Sequence, residues 1–105
     1  MEETINNRIA KDIQNNPVML FMKGSKHMPL CGFSAKVVNA LKQLEVDFST
    51  RNVLEDGDLR EGIKTYSNWP TLPQLYINGE FIGGCDIVLE LFESGELKKK
   101  LLAAK

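Results

Sequence analysis

Hydrophobic and polar positions divide the chain into alternating helix-like and strand-like stretches. Ile5, Ile9 and Ile13 recur every four residues among polar neighbours, which predicts a short amphipathic helix. Asn16-Pro17 ends it, because proline disfavours helical backbone at the residue before it. Val18-Met19-Leu20-Phe21-Met22 is apolar throughout and predicts a strand buried on both faces. Lys23 to Pro29 is a polar loop punctuated by glycine and proline. Phe33, Val37, Leu41 and Leu44 then step round one face of a second helix. A strand is expected from Phe48 to Val53. Glu55-Asp56-Gly57-Asp58 offers three carboxylates that oppose the dipole of a third helix, with Leu59, Ile63 and Tyr66 assigned to its inner face.

The last third changes period. Gln74-Leu75-Tyr76-Ile77 and Glu80-Phe81-Ile82 flank Asn78-Gly79, a strong hairpin signal. Gly83-Gly84 breaks the second strand, Asp86 is placed to cap a helix through Ile87, Val88, Leu91 and Phe92, and Ser94-Gly95 closes it. Glu96 to Leu102 predicts a final turn or two. The order αβαβαββαα implies parallel pairing early and antiparallel pairing late. The predicted fold is α/β: a four-stranded mixed sheet with helices on both faces, as one domain over residues 1–105.

Composition narrows the function classes. Apolar residues are 43% and charged residues 26% of the 105, as in an ordinary globular chain. A net charge of −1 lacks the basic footprint of a nucleic-acid binder. Lys98-Lys99-Lys100 is accordingly assigned to a solvated helix face. The longest apolar run, Val18 to Met22, is far short of the ~18 residues of a membrane span. Met1-Glu2-Glu3-Thr4 has no basic n-region or apolar h-region, so the expectation is a cytoplasmic protein, or one of an organelle matrix if the chain is a processed form. Two cysteines make neither a disulfide framework nor a structural zinc site.

Cys31 is the main candidate for chemistry. A thiol at a helix start sits beside unpaired N–H groups and the positive end of the dipole, which favour its thiolate. Lys23, at the end of the buried strand, adds a cation nearby. The competing reading is an inert buried cysteine, disfavoured by the junction of a loop and a helix beside Gly32. Cys31-Gly32-Phe33-Ser34 is a CxxC motif with its last thiol replaced by a hydroxyl. Ser34 cannot attack a mixed disulfide, so the two-thiol cycle is closed; Ser34 is assigned as a first-turn cap. Cys31 is left as a lone nucleophile or as a metal ligand.

Lys23-Gly24, the spacer to Leu30, Cys31-Gly32-Phe33-Ser34, Trp69-Pro70-Thr71-Leu72-Pro73, Asn78-Gly79 and Gly83-Gly84-Cys85-Asp86 occur in this order along nearly the whole chain. Together they resemble the monothiol glutaredoxins of the CGFS type, most closely their short single-domain members. The resemblance implies a thioredoxin-like fold, a cis peptide before Pro73, bound glutathione, and a 2Fe–2S cluster bridging a homodimer with Cys31 as its ligand. It assigns Lys23 and Arg60 to glutathione carboxylates, the Leu72 main chain to the cysteinyl unit, and Cys85 with Asp86 to the γ-glutamyl end. It also implies BolA-like proteins and apo iron–sulfur proteins as partners.

The residues alone leave alternatives. Lys23 and Arg60 are otherwise solvated charges. Cys85 is packing, a ligand contact, or a thiol that resolves Cys31. Gly83-Gly84 admits close backbone approach to a ligand or a β-bulge. His27 is expected to be solvated, and Trp69 to pack locally. Two functions follow: a carrier that delivers a cluster, or a glutathione-dependent oxidoreductase using Cys31 alone. The missing resolving thiol and the Gly24–Leu30 loop argue against efficient turnover in the second. A switch through a Cys31–Cys85 disulfide is a third.

Overall fold

Five consecutive buried residues, Val18–Met22, form β1, with a neighbour on each edge. In the computed structural model, residues 4–104 are described. The acidic start Met1-Glu2-Glu3, read above for targeting signals, lies outside the described residues. The sheet order is β2 (Ser49–Asn52), β1, β3 (Gln74–Ile77), β4 (Glu80–Gly83). The helices are α1 (Ile5–Asn15), α2 (Gly32–Gln43), α3 (Gly57–Ser67), α4 (Cys85–Ser94) and α5 (Glu96–Leu102).

Alternate β1 side chains feed two cores, which is why the strand is apolar at every position. Val18, Leu20 and Met22 face Val37 and Leu41 of α2, Val88 of α4, and Leu97 and Leu101 of α5. Met19 and Phe21 face Ile9 and Ile13 of α1 and Leu59 and Ile63 of α3. The helices therefore cover both faces, as the α/β expectation requires. Among the described residues no helix is long and apolar enough to cross a membrane.

The local signals act where they were read. Asn16 ends α1, Asp56 caps α3 through Oδ1 to the Leu59 N–H at 3.1 Å, and Gly95 ends α4 at φ 85°. Asn78 and Gly79 both take positive φ in the β3–β4 turn. Parallel pairing is limited to β1 with β2. Gln74 enters beside Phe21, at the end where β1 leaves the sheet, so β3 runs back antiparallel to β1.

Three assignments are corrected. The second strand is Ser49–Asn52, because Val53–Glu55 coils into a 3₁₀ turn. Tyr66 is 42% exposed, its ring reaching only the rim of the core at Tyr76, 6.5 Å between centroids. Phe33 is 56% exposed: the helical period overshoots the sheet at the first turn of α2, and the side chain borders a cavity instead.

Candidate functional site

The first turns of α2, α3 and α4 and the loop before β3 border a cavity of about 440 Å³. Lys23, Cys31, Arg60, Leu72, Cys85 and Asp86, every site residue selected from the sequence, line it. The loop that delivers Cys31 is folded on itself. Ser25 and Met28 exchange backbone hydrogen bonds at 3.1 Å, and the Leu30 N–H donates to the Lys23 carbonyl at 3.0 Å. Gly24 makes this possible: its φ is +92°, and a Cβ there would lie 2.5 Å from Leu30 N and Met28 O. Two lysines pin the loop to its surroundings: its own Lys26 donates from Nζ to the Phe48 carbonyl at 2.6 Å, and Lys42 of α2 donates from Nζ to the Lys26 carbonyl at 3.0 Å. His27, exposed at the loop tip, does not border the cavity.

Cys31 is the N-cap residue of α2, in extended backbone, the position from which a side chain faces the free N–H groups of the first turn. The sulfur makes no capping bond of ordinary geometry. Its thiol nevertheless lies below the ordinary range, chiefly through the Ser34 N–H, with the Phe33 N–H, the Lys23 charge and the Ser34 hydroxyl adding; partial burial pushes the other way. Attraction between a large anion and N–H dipoles tolerates contacts looser than a neutral hydrogen bond. Ser34 is not a first-turn cap. It is fully buried, and its Oγ accepts from the Lys23 N–H at 3.2 Å, tying the end of β1 to α2 beneath the thiol.

Cys85 is the first residue of α4, and the N-cap is Gly84 rather than Asp86, which lies in the first turn without a capping bond. Burial pushes the Cys85 thiol up, the charges of Asp86 and Cys31 add to this, and Lys36 opposes it. Both cysteines are free thiols. A shift of register between Leu75 and Tyr76, opposite Gly83 and Phe81, is the β-bulge. Gly84 is closely approached from within: a Cβ there would be 3.1 Å from Trp69 Nε1 and 3.4 Å from the Pro73 carbonyl.

The lining is suited to an anionic ligand with a peptide backbone. Lys23 and Arg60 side chains form no ion pair with any described residue. Arg60 Nε and Trp69 Nε1 are buried without a hydrogen-bond partner, an arrangement that costs free energy unless something completes it. The Leu72 side chain is buried, the Leu72–Pro73 peptide is cis, and neither the N–H nor the C=O of Leu72 is used by a described residue. Sequence reasoning missed Lys64, Thr71 and Ile87 in the lining. Lys64 was within reach of it, four residues after Arg60 on one helix face.

Comparison with known proteins agrees with this geometry. The glutaredoxin family model matches residues 18–82. A Synechocystis protein named as an uncharacterized monothiol glutaredoxin is 55% identical over 97 residues, 92% of this chain and 91% of its own length. Rice monothiol glutaredoxin-S11 is 59% identical over 100 residues, 95% of this chain, which spans only 20% of that protein. The solution structure of reduced poplar apo GrxS14 superposes with a TM-score of 0.83 at 49% identity, covering 94% of this chain and 91% of that one, so the fold is thioredoxin-like. On these matches the chain belongs to the glutaredoxin family, on its monothiol branch.

Proposed function

We propose that this protein holds glutathione beside Cys31 and, paired with a second copy of itself, carries a 2Fe–2S cluster that it passes to apo iron–sulfur proteins. The observation that carries the reading is Cys31 at the N-cap of α2, bordering a cavity that also holds two cations without an ion-pair partner and a main-chain edge without a hydrogen-bond partner among the described residues. Glutathione presents two carboxylates, an extended backbone and a thiol. Lys23 and Arg60 match the carboxylates, the free N–H and C=O of Leu72 match the backbone, and Asp86 beside the start of α4 matches the γ-glutamyl end.

A 2Fe–2S cluster takes four thiolates. Among the described residues no group of three or more His, Cys, Asp or Glu is placed to hold a metal. Cys31 from each of two protomers and the thiols of two glutathiones make four, so the cluster calls for a second copy of the chain. A cargo held partly by dissociable ligands is easily surrendered, which suits delivery, with BolA-like proteins as further partners. Anaerobic incubation with iron, sulfide and glutathione is expected to give visible 2Fe–2S absorbance and to double the sedimenting mass. Omitting glutathione or replacing Cys31→Ser is expected to prevent both. A wild-type protein that takes up no cluster overturns the reading.

The lowered Cys31 thiol also favours a second activity, deglutathionylation. The Cys31 thiolate attacks the glutathione sulfur of a protein–glutathione disulfide and releases the protein thiolate. A second glutathione thiolate then attacks the Cys31 mixed disulfide, releasing glutathione disulfide and restoring Cys31. Steady-state turnover of such a disulfide, lost in Cys31→Ser, is the expected sign; its absence from wild type removes this activity.

A further inference from the structure

Gln74 and Ser34 are the two buried polar residues among the described ones, and Gln74 opens β3 in the apolar layer shared with Phe21 and Tyr76. A buried amide is unfavourable there unless its hydrogen bonds are made. They are made at both ends of the amide. Nε2 donates to the Trp69 carbonyl and to the Thr71 carbonyl, each at 3.2 Å, and Oε1 accepts from the Tyr76 hydroxyl at 3.4 Å.

The rest of the loop has few other tethers: the Trp69 N–H donates to the Lys64 carbonyl at 3.1 Å and to Ser67 Oγ at 3.2 Å, and the Leu72 side chain packs into the core. Pro70 and Pro73 have no N–H, and no described residue bonds the N–H of Thr71 or of Leu72. From Pro70 to Pro73, the Thr71–Gln74 contact is the one hydrogen bond among the described residues. A hydrocarbon side chain of similar length could fill the same space, so what the amide adds is its grip on this loop. Trp69, Thr71 and Leu72 all border the cavity. We propose that Gln74 is a positioning residue: from behind the cavity, its carboxamide fixes Trp69–Leu72 so that the Leu72 main chain is presented to the ligand in a set geometry.

The ligand in question is the glutathione of the proposed function, on which this inference rests. Preorganised main chain binds more tightly than main chain that must be ordered on binding. Calorimetric titration with reduced glutathione and backbone NMR order parameters test it in three variants. Gln74→Met removes both donors, Gln74→Glu retains at most one in the same shape, and Tyr76→Phe removes the partner on the far side of the amide together with the hydroxyl's contact to Ser67.

Gln74→Met is expected to weaken glutathione at least tenfold and to lower the order parameters of Thr71 and Leu72 from about 0.85 toward 0.6, with the rest of the sheet unchanged. Gln74→Glu, read at a pH where its buried carboxyl is protonated and keeps one donor, is expected to fall between Gln74→Met and wild type, and it carries the test if Gln74→Met does not fold. Tyr76→Phe is expected to lose thermal stability yet hold affinity within about twofold. A merely structural role would instead make affinity follow stability across all three. Wild-type order and affinity in the folded Gln74 variants overturn the proposal. Wild type that binds no glutathione overturns the ligand reading alone, and the order parameters still decide whether Gln74 sets the loop.

Discussion

Cys31 and Cys85 each stand at the start of a helix, each is half-buried, and both border one cavity, yet their thiols are displaced in opposite directions. The helix dipole is common to the two and so does not explain the difference. Cys31 is the N-cap, from which its sulfur meets the N–H groups of Phe33 and Ser34. Cys85 is one residue further in, past that cap, where burial pushes its thiol up and the Asp86 carboxylate adds to this. One step along a helix start, the depth of burial and the sign of a neighbouring charge together displace the two thiols in opposite directions.

The largest expected effect isolates the pair. At pH 7, Cys31→Ser is expected to remove nearly all rapid alkylation by iodoacetamide, whereas Cys85→Ser leaves the rate within about twofold of wild type. Comparable loss in both variants would break the distinction.

The next effect comes from the loop that serves only Cys31. Gly24→Ala forces an L side chain into positive φ and into backbone 2.5 Å away. It is expected to cost about 1–3 kcal/mol in urea denaturation and to change alkylation at Cys31 but not at Cys85. An unchanged urea midpoint would show that the loop tolerates the side chain.

The smallest effect concerns charge. The Lys23 cation helps to hold the Cys31 thiol down, so Lys23→Met moves it up and leaves less thiolate at neutral pH. Alkylation at pH 7 is expected to slow, and an unchanged rate would show that the Lys23 charge does not reach the thiol. The sign extends to stability. A thiol lowered by folding stabilises the native state above the unfolded thiol's pKa, and that contribution is lost as pH falls through the folded pKa.

Much of the fold could be read in advance because its signals are local. Asn16-Pro17, the Asp56 cap and Asn78-Gly79 act within a few residues, and the unbroken apolar run of β1 reports burial on two faces. Cys31 was equally legible as a thiol at a loop–helix junction. The misreadings depend on what the chain meets in space. Ser34 has the composition of a cap but is spent on the Lys23 N–H, eleven residues earlier. Phe33 has helical periodicity but lies past the end of the sheet, over the cavity. The direction of β3 depends on which end of β1 Gln74 joins, which no local pattern encodes. Gln74 itself resembles a surface residue opening a strand; only the two carbonyls behind the cavity reveal its role.

The most direct test of the account is the pH dependence of alkylation at each cysteine of the native, reduced, metal-free protein, resolved by peptide mass spectrometry. Cys31 is expected to titrate below an ordinary free thiol and Cys85 above it. Coincident midpoints, a reversed order, or a Cys31 closed to the reagent would contradict it.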